Sequence, residues 1–171
     1  MTEFDIDEET HRQITKLKNS CFPDYTKPRS YYKQLPHFRY LAYQGQTLIG
    51  QMGIDHRAIA IEDSVFTIFG VIDLCVIADK RRLGIASQML QSLTQLAQEK
   101  SIDFLFAVAS DHRLYQKNEF SAVIGYFQWL RIHDHKNYGV ANEKLDQEVL
   151  VKQIGHRKWS DGPVDLLGYL F

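Results

Sequence analysis

Two pieces of chemistry sit in the stretch Val71-Ile72-Asp73-Leu74-Cys75-Val76-Ile77-Ala78-Asp79-Lys80-Arg81-Arg82-Leu83-Gly84-Ile85-Ala86-Ser87. One is a seat for an anion. Arg81 and Arg82 put positive charge in a turn, and Gly84, Ala86 and Ser87 make a small-residue patch where a helix begins. The first turn of a helix offers amide N–H groups that no intrahelical carbonyl can take, and its dipole favours negative charge. The absence of bulk at Gly84 lets a phosphate come close. The other is Asp73, a carboxylate among apolar neighbours, where burial raises a carboxyl pKa towards the range of a working general base. Several alternatives to that role stay open. Asp73 could instead pair with an arginine such as Arg57, and the base could be His56, Asp55 beside it, or a water chain to backbone carbonyls.

These groups need a strand, a turn and a helix to hold them. Residues 71 to 77 form a nearly continuous apolar run, the pattern of a strand covered on both faces. The charged turn Asp79-Lys80-Arg81-Arg82 ends it. Beyond the turn Ile85, Met89, Leu93, Leu96 and Ala97 recur at helical spacing as one apolar stripe. Residues 103 to 109 read as another buried strand, and the helix between the two makes the pair parallel by the crossover rule.

The chain is identified by resemblance at these residues. Arg81-x-x-Gly84-x-Ala86 is similar to the R/Q-x-x-G-x-G/A signature of the GNAT superfamily of acyl-CoA-dependent N-acyltransferases, and Leu74-x-Val76 has the spacing of that family's central strand. Leu114-Tyr115-x-Lys117-x-Glu119-Phe120 resembles its L-Y-x-K-x-G-F segment. The resemblance covers roughly residues 38 to 121 and implies an acetyltransferase that uses acetyl-CoA, needs no metal, and acts on an amine acceptor. It puts the coenzyme's diphosphate on the amides of Leu83, Gly84, Ile85, Ala86 and Ser87 with Arg81 or Arg82 beside it. The pantetheine arm lies along the backbone of Leu74, Cys75 and Val76, one of whose N–H groups also faces the thioester oxygen. It makes Tyr115 the acid for the leaving thiolate, a role a phenol's pKa suits, while Asp73 as base rests on its burial among apolar neighbours. Two departures stand out. Glu119 replaces the usual Gly, and Ser110 is the nearest residue to the asparagine often found after the second parallel strand.

The 171 residues, 44% hydrophobic and 24% charged, suit one domain, 1–171, with a sizeable core. Twenty basic residues against twenty-one acidic ones leave a formal charge of −1, which gives no overall argument for nucleic acid or an anionic membrane as partner. Cys21 and Cys75 are too few for a disulfide framework. With no signal peptide or spanning run, a soluble cytoplasmic protein is the expectation.

Elsewhere, residues 7 to 20 read as a surface helix whose only apolar residues are Ile14 and Leu17. A loop with two prolines follows, then a short helix from Ser30 to Gln34. Tyr25, Tyr31, Tyr32 and His37 are either half-buried packing or the wall of an acceptor site. Phe38 to Tyr43 and Thr47 to about Ile61 read as a hairpin, with Leu48, Met52, Ile54 and His56 on one face. The third strand is Val65 to Ile77. Residues 112 to 118 form a short helix and 120 to 132 a strand. His133 to Asn137 read as a polar loop, Asp146 to Ile154 as a short helix, and the apolar tail from Gly162 as a last strand. The fold class is α+β, GNAT-like, with a mixed, mostly antiparallel central sheet, a parallel splayed strand pair, and helices on both faces.

Three functions compete. The first is acetyl transfer from acetyl-CoA to a primary amine of a small molecule or peptide. The second is transfer of a longer acyl chain to an amino sugar, by a diffuse likeness to the rhizobial nodulation acyltransferases. The third is an acyl-CoA-binding module without catalysis. A homodimer through the tail is compatible with each. Dinucleotide binding is excluded, since the helix start lacks G-x-G-x-x-G, and His133-x-His135 lacks a third metal ligand.

Overall fold

A computed structural model describes residues 1–171. Strands β1 (Phe38–Gln44), β2 (Thr47–Ile61) and β3 (Ser64–Val76) form an antiparallel meander, turning at Gly45, which takes φ +60°, and at Glu62. Helix α2 (Ile85–Glu99) then crosses over to β4 (Phe104–Val108), which pairs with β3 in parallel. Helix α1 (Glu8–Cys21) precedes the meander and the short α3 (Arg113–Lys117) follows β4. Strands β5 (Ser121–Ala122), β6 (Gly125–His133), β7 (Lys136–Leu145), β8 (Val149–Gln153) and β9 (Val164–Tyr169) complete one nine-stranded sheet in the order β5-β8-β4-β3-β2-β9-β6-β7, with β1 on β2. Most pairs are antiparallel. The parallel ones are β3–β4 and β6–β9.

Helices cover both faces. Met89, Leu90, Leu93 and Ala97 of α2 pack on Met52, Ile54, Phe69, Val71, Leu105 and Ala107. On the opposite face Ile14 and Leu17 of α1 pack on Leu48 and Cys75, and further along Ile59, Ile68, Phe104, Phe106, Phe127 and Leu166 form a third cluster. The alternation of Phe104 and Phe106 with Leu105 and Ala107 between the clusters is the period-2 signature of a strand covered on both sides. No helix is long and apolar enough to cross a membrane.

Several expectations need correction. Leu48 does not share a face with Met52 and Ile54. The register of β1 on β2 slips between Ala42 and Tyr43, leaving Ile49 as an extra residue that reverses the alternation. Helix α1 is more than a surface helix, because Ile14, Leu17 and Lys18 form a buried stripe. Residues 30–34 form bends rather than a helix, and the carbonyl of Ser30, which helix formation would need, is taken by Arg39 Nη1 at 3.2 Å. Residues 149–153 are strand, not helix. Val149, Leu150 and Val151 are all buried between β4 and β5, so sheet pairing overrides local preference. The run from 120 to 132 divides into β5, which joins β8, and β6, which joins β7 and β9. The loop after it shrinks to the turn residues Asp134 and His135, at φ 44° and 60°, the primed hairpin geometry.

Candidate active site

The site begins where two parallel strands part. Val71↔Ala107 is the last pair of β3 with β4, yet β3 continues to Val76. Just past that point β3 carries a bulge. Gly53 faces Ile72 and Gln51 faces Cys75, so Asp73 and Leu74 together oppose the single residue Met52. Asp73 takes φ 48° to make it. The bulge sends successive stretches of β3 into different cavities. Leu74, Cys75 and Val76 line a groove of about 820 Å³, and Ile72 and Asp73 line a second cavity of about 370 Å³.

The groove also takes in Arg81, Arg82, Gly84, Ile85, Ala86 and Ser87, so the structure brings together all but one of the residues expected around the anion seat. The exception is Leu83, whose side chain is 65% exposed and points away, although its amide remains in the run. Gly84 caps α2 with φ +84° and no side-chain hydrogen bond, and a Cβ there would meet nothing within 4 Å. None of the amides from Arg82 through Ser87 donates a hydrogen bond within the protein, while the Gly84 carbonyl already accepts from Gln88. A row of free N–H groups at a helix start, over open space and beside Lys80, Arg81, Arg82, Arg113 and Lys117, is chemically suited to a diphosphate. Arg81 is anchored by Nε on the Val76 carbonyl at 3.0 Å, which ties the turn to the strand. Asn118 ties α3 to the same helix start, with Nδ2 donating to Ser87 Oγ at 3.1 Å and to the Leu114 carbonyl at 2.8 Å.

From α3 the groove takes Arg113, Leu114 and Lys117, while Tyr115 turns inward. Its ring is 8% exposed and meets Phe120 edge-on at 5.3 Å, and burial pushes its phenol up to about 12. Glu119 keeps a left-handed φ of 66°, a position that favours glycine, and its carboxylate reaches Lys152 Nζ at 2.9 Å. Both cysteines face the groove. Cys21 Sγ lies 3.5 Å from the Val76 carbonyl, and a hydrogen bond from Cys75 pulls its thiol down to about 6, while Cys75 is pushed up by Cys21 and by burial.

The second cavity is walled by Phe22, Tyr25, Tyr32, Tyr169 and Phe171, with Lys18, Lys33 and Asp73 as its charges. Tyr25 and Tyr32 therefore line this second cavity, and Tyr31 and His37 do not. Burial pushes the Asp73 carboxyl up, partly offset by Lys18, and burial pulls Lys18 down. Asp73 does not pair with Arg57. That arginine holds Asp55, which also binds His37 Nδ1 at 2.8 Å. His56 is exposed and meets Phe69 edge-on, outside both cavities. The backbone of Asp73 is held by Gln51, whose Nε2 donates to its carbonyl. Gln51 Oε1 in turn accepts from Arg39, which is 2% exposed and forks onto Glu3 at 2.8 and 2.9 Å. The rings of His133 and His135 pack on Tyr32 and Tyr31, and Asp134 between them pairs with Lys27 at 2.6 Å and Arg29 at 3.4 Å.

Sequence reasoning missed Lys18, Lys33, Gln51 and the tail aromatics. For Lys18 a signal existed: with Ile14, Leu17 and Cys21 it completes an i, i+3, i+4, i+7 stripe, which places a charged residue on a buried face.

The model of the acetyltransferase (GNAT) domain family matches residues 5–123. No curated protein matches the chain in sequence. Among solved structures, the GNAT family N-acetyltransferase YhbS from Escherichia coli in complex with CoA is 12% identical, with 90% of this chain and 82% of that one covered at a TM-score of 0.60. The ribosomal-protein-S18-alanine N-acetyltransferase of Escherichia coli is also 12% identical, covering 90% and 93% at 0.54. A GCN5-related N-acetyltransferase from Anabaena variabilis is 18% identical at 0.57, over 70% of this chain and 31% of that one. The chain thus spans about a third of the length of that last protein. At these identities the likeness is one of fold.

Proposed function

Since the chain belongs to the GNAT acetyltransferase family, we propose that residues 1–171 act as one domain that moves an acetyl group from acetyl-CoA to a primary amine held in the second cavity. The observation that carries this reading is the bulge at Asp73 and Leu74, which sets a groove fit for an acyl-CoA against a cavity fit for an amine on a single strand.

Acetyl-CoA supplies an activated acyl thioester. The free amides from Arg82 through Ser87 hold its diphosphate, and Arg81 and Arg82 add charge. The edge of β3 at Leu74, Cys75 and Val76, which β4 leaves without a partner, receives the pantetheine arm, and an N–H there faces the oxygen on which charge develops. A fixed donor of that kind lowers a barrier by about 3 kcal/mol. Asp73 takes the proton from the attacking amine, and its raised pKa makes it a stronger base than an ordinary carboxylate. Tyr115 returns a proton to the thiolate. Its chain position supports this role, while its core packing and a phenol that burial makes a weaker acid than an ordinary tyrosine favour a structural one.

That core packing also favours a second reading, an acyl-CoA-binding module that does not turn over. Thiol release from acetyl-CoA across a panel of amines, with parental protein, Asp73→Asn and Tyr115→Phe, separates the two. Amine-dependent release that Asp73→Asn abolishes supports transfer. Tight CoA binding with no release by any amine supports the module. A drop in kcat for Tyr115→Phe with unchanged melting marks an acid, and a drop in melting alone marks a core residue.

A further inference from the structure

The second cavity holds more positive charge than a simple amine would need. The Lys18 side chain is 3% exposed, and its ammonium makes no hydrogen bond. Its one ionic neighbour is Asp73 Oδ2 at 3.9 Å, beyond hydrogen-bond reach. Asp73 Oδ2 is itself buried without a partner. Lys33 lines the same cavity, donates to the Leu170 carbonyl at 2.6 Å, and has no carboxylate within ion-pair distance. Two cations thus face one carboxylate, and both lysines are pulled below their ordinary pKa by burial.

A buried ion costs several kcal/mol to desolvate unless a partner repays it. A monoamine brings a third cation into this cavity and leaves the ammonium of Lys18 as it was. A molecule bearing an amine and a carboxylate a few bonds apart offers an opposite charge to both lysines and to Asp73. Its carboxylate accepts from the lysines, and its amine meets Asp73, which is freed from Lys18 to take a proton. The remaining walls are mostly apolar, with the aromatic rings of Phe22, Tyr32 and Phe171 among them beside Ile72 and Val108, and Gln34 the one neutral amide. At about 370 Å³ the cavity lies at the small end of ligand sites, the scale of one amino acid rather than of a folded peptide segment.

We propose that the acceptor is a free amino acid with an aromatic or bulky apolar side chain, its carboxylate held by Lys18 and Lys33 and its α-amine presented to Asp73. The proposal rests on the transferase reading above. During transfer the amine nitrogen forms a bond to the acetyl carbon as the carbon–sulfur bond breaks. One proton passes from nitrogen to Asp73, and the departing thiolate takes a proton from Tyr115 or from solvent to leave as the thiol.

Three acceptors separate the possibilities. Phenylalanine carries the carboxylate, phenylalaninamide stands for a peptide N-terminus, and phenethylamine lacks the group. Each is measured by thiol release and by calorimetry on CoA-loaded protein, with Lys33→Met and Lys33→Arg alongside. A charge-assisted pair predicts a preference of about tenfold to a hundredfold in kcat/KM for phenylalanine over both others. Lys33→Met should remove most of it through phenylalanine alone, and Lys33→Arg should keep it. Equal binding and turnover of the three, none of them binding, or an equal loss on all three in Lys33→Met overturns the acceptor class. If acetyl-CoA still binds and other amines release thiol, the transferase reading survives that result. Failure of acetyl-CoA to bind overturns both.

Discussion

The ring of Phe171 occupies the space that a side chain on Gly70 would need, and a Cβ built on Gly70 would fall 2.1 Å from the Cζ atom of Phe171. Gly70 sits in β3 just before the strands part, so the tail is seated against the strand that lines both cavities. Arg57 fixes it from the side. Its guanidinium lies 4.4 Å from both the Tyr169 and Phe171 rings, and Nη1 donates to the Tyr169 carbonyl at 2.7 Å.

Gly70→Ala should therefore push Phe171 out of the second cavity. Overpacking of this kind costs about 1–3 kcal/mol. Urea unfolding should report that loss, and steady-state kinetics should show a raised acceptor KM while CoA affinity by calorimetry stays at the parental value. An unchanged acceptor KM would detach the tail from the acceptor site.

Gly84→Glu should abolish CoA binding, because it puts a carboxylate over the free amides at the start of α2. The left-handed φ of +84° adds roughly 1–2 kcal/mol of strain, small enough for the fold to persist in circular dichroism. Calorimetry with CoA that returns the parental affinity would remove the anion seat.

The pH dependence of turnover should carry the mark of Asp73. In the proposed mechanism the group works deprotonated, and burial raises its pKa, so kcat/KM should fall with decreasing pH through a limb that lies above the ordinary carboxylate range. Asp73→Asn should lose that limb together with about 10²–10⁴-fold in rate. A limb that persists in the variant assigns it to another group.

Cys21 should alkylate readily at neutral pH. Its thiol is pulled down to about 6, chiefly by the hydrogen bond from Cys75, which favours the nucleophilic thiolate. Cys75→Ala removes that hydrogen bond and should slow the reaction with iodoacetamide. Saturating CoA should protect Cys21, since it lines the groove, and mass spectrometry reads both effects. Alkylation at the same rate with and without CoA would place the coenzyme elsewhere.

The strand, turn and helix from residue 71 to 97 were legible because each signal there is local: an apolar run, a basic turn, a glycine at a helix start and a stripe at period 3.6. The bulge was not. It exists only in the register of β3 on β2, where Asp73 and Leu74 face Met52, and a register belongs to two strands at once. Gly50 and Gly53 hinted at irregularity, but the extra residues lie opposite them in β3 and at Ile49. Val149 to Gln153 escaped for a similar reason, since five residues between β4 and β5 become strand through their neighbours. Lys18 and Lys33 come from parts of the chain distant in sequence, and only the folded molecule makes them face one carboxylate. Glu119 shows the reverse case. The residue departs from the pattern, yet the backbone keeps the conformation that glycine would have given.

The turn between β6 and β7 grips the segment that bears Tyr25, Tyr32 and Lys33, through Asp134 on Lys27 and Arg29 and through His135 stacked on Tyr31. None of these contacts touches residues 74 to 87. Lengthening or shortening this hairpin tip would re-aim one wall of the smaller cavity while the groove at residues 74 to 87 keeps its shape. A descendant of this chain could in that way acquire new acceptors and keep its donor.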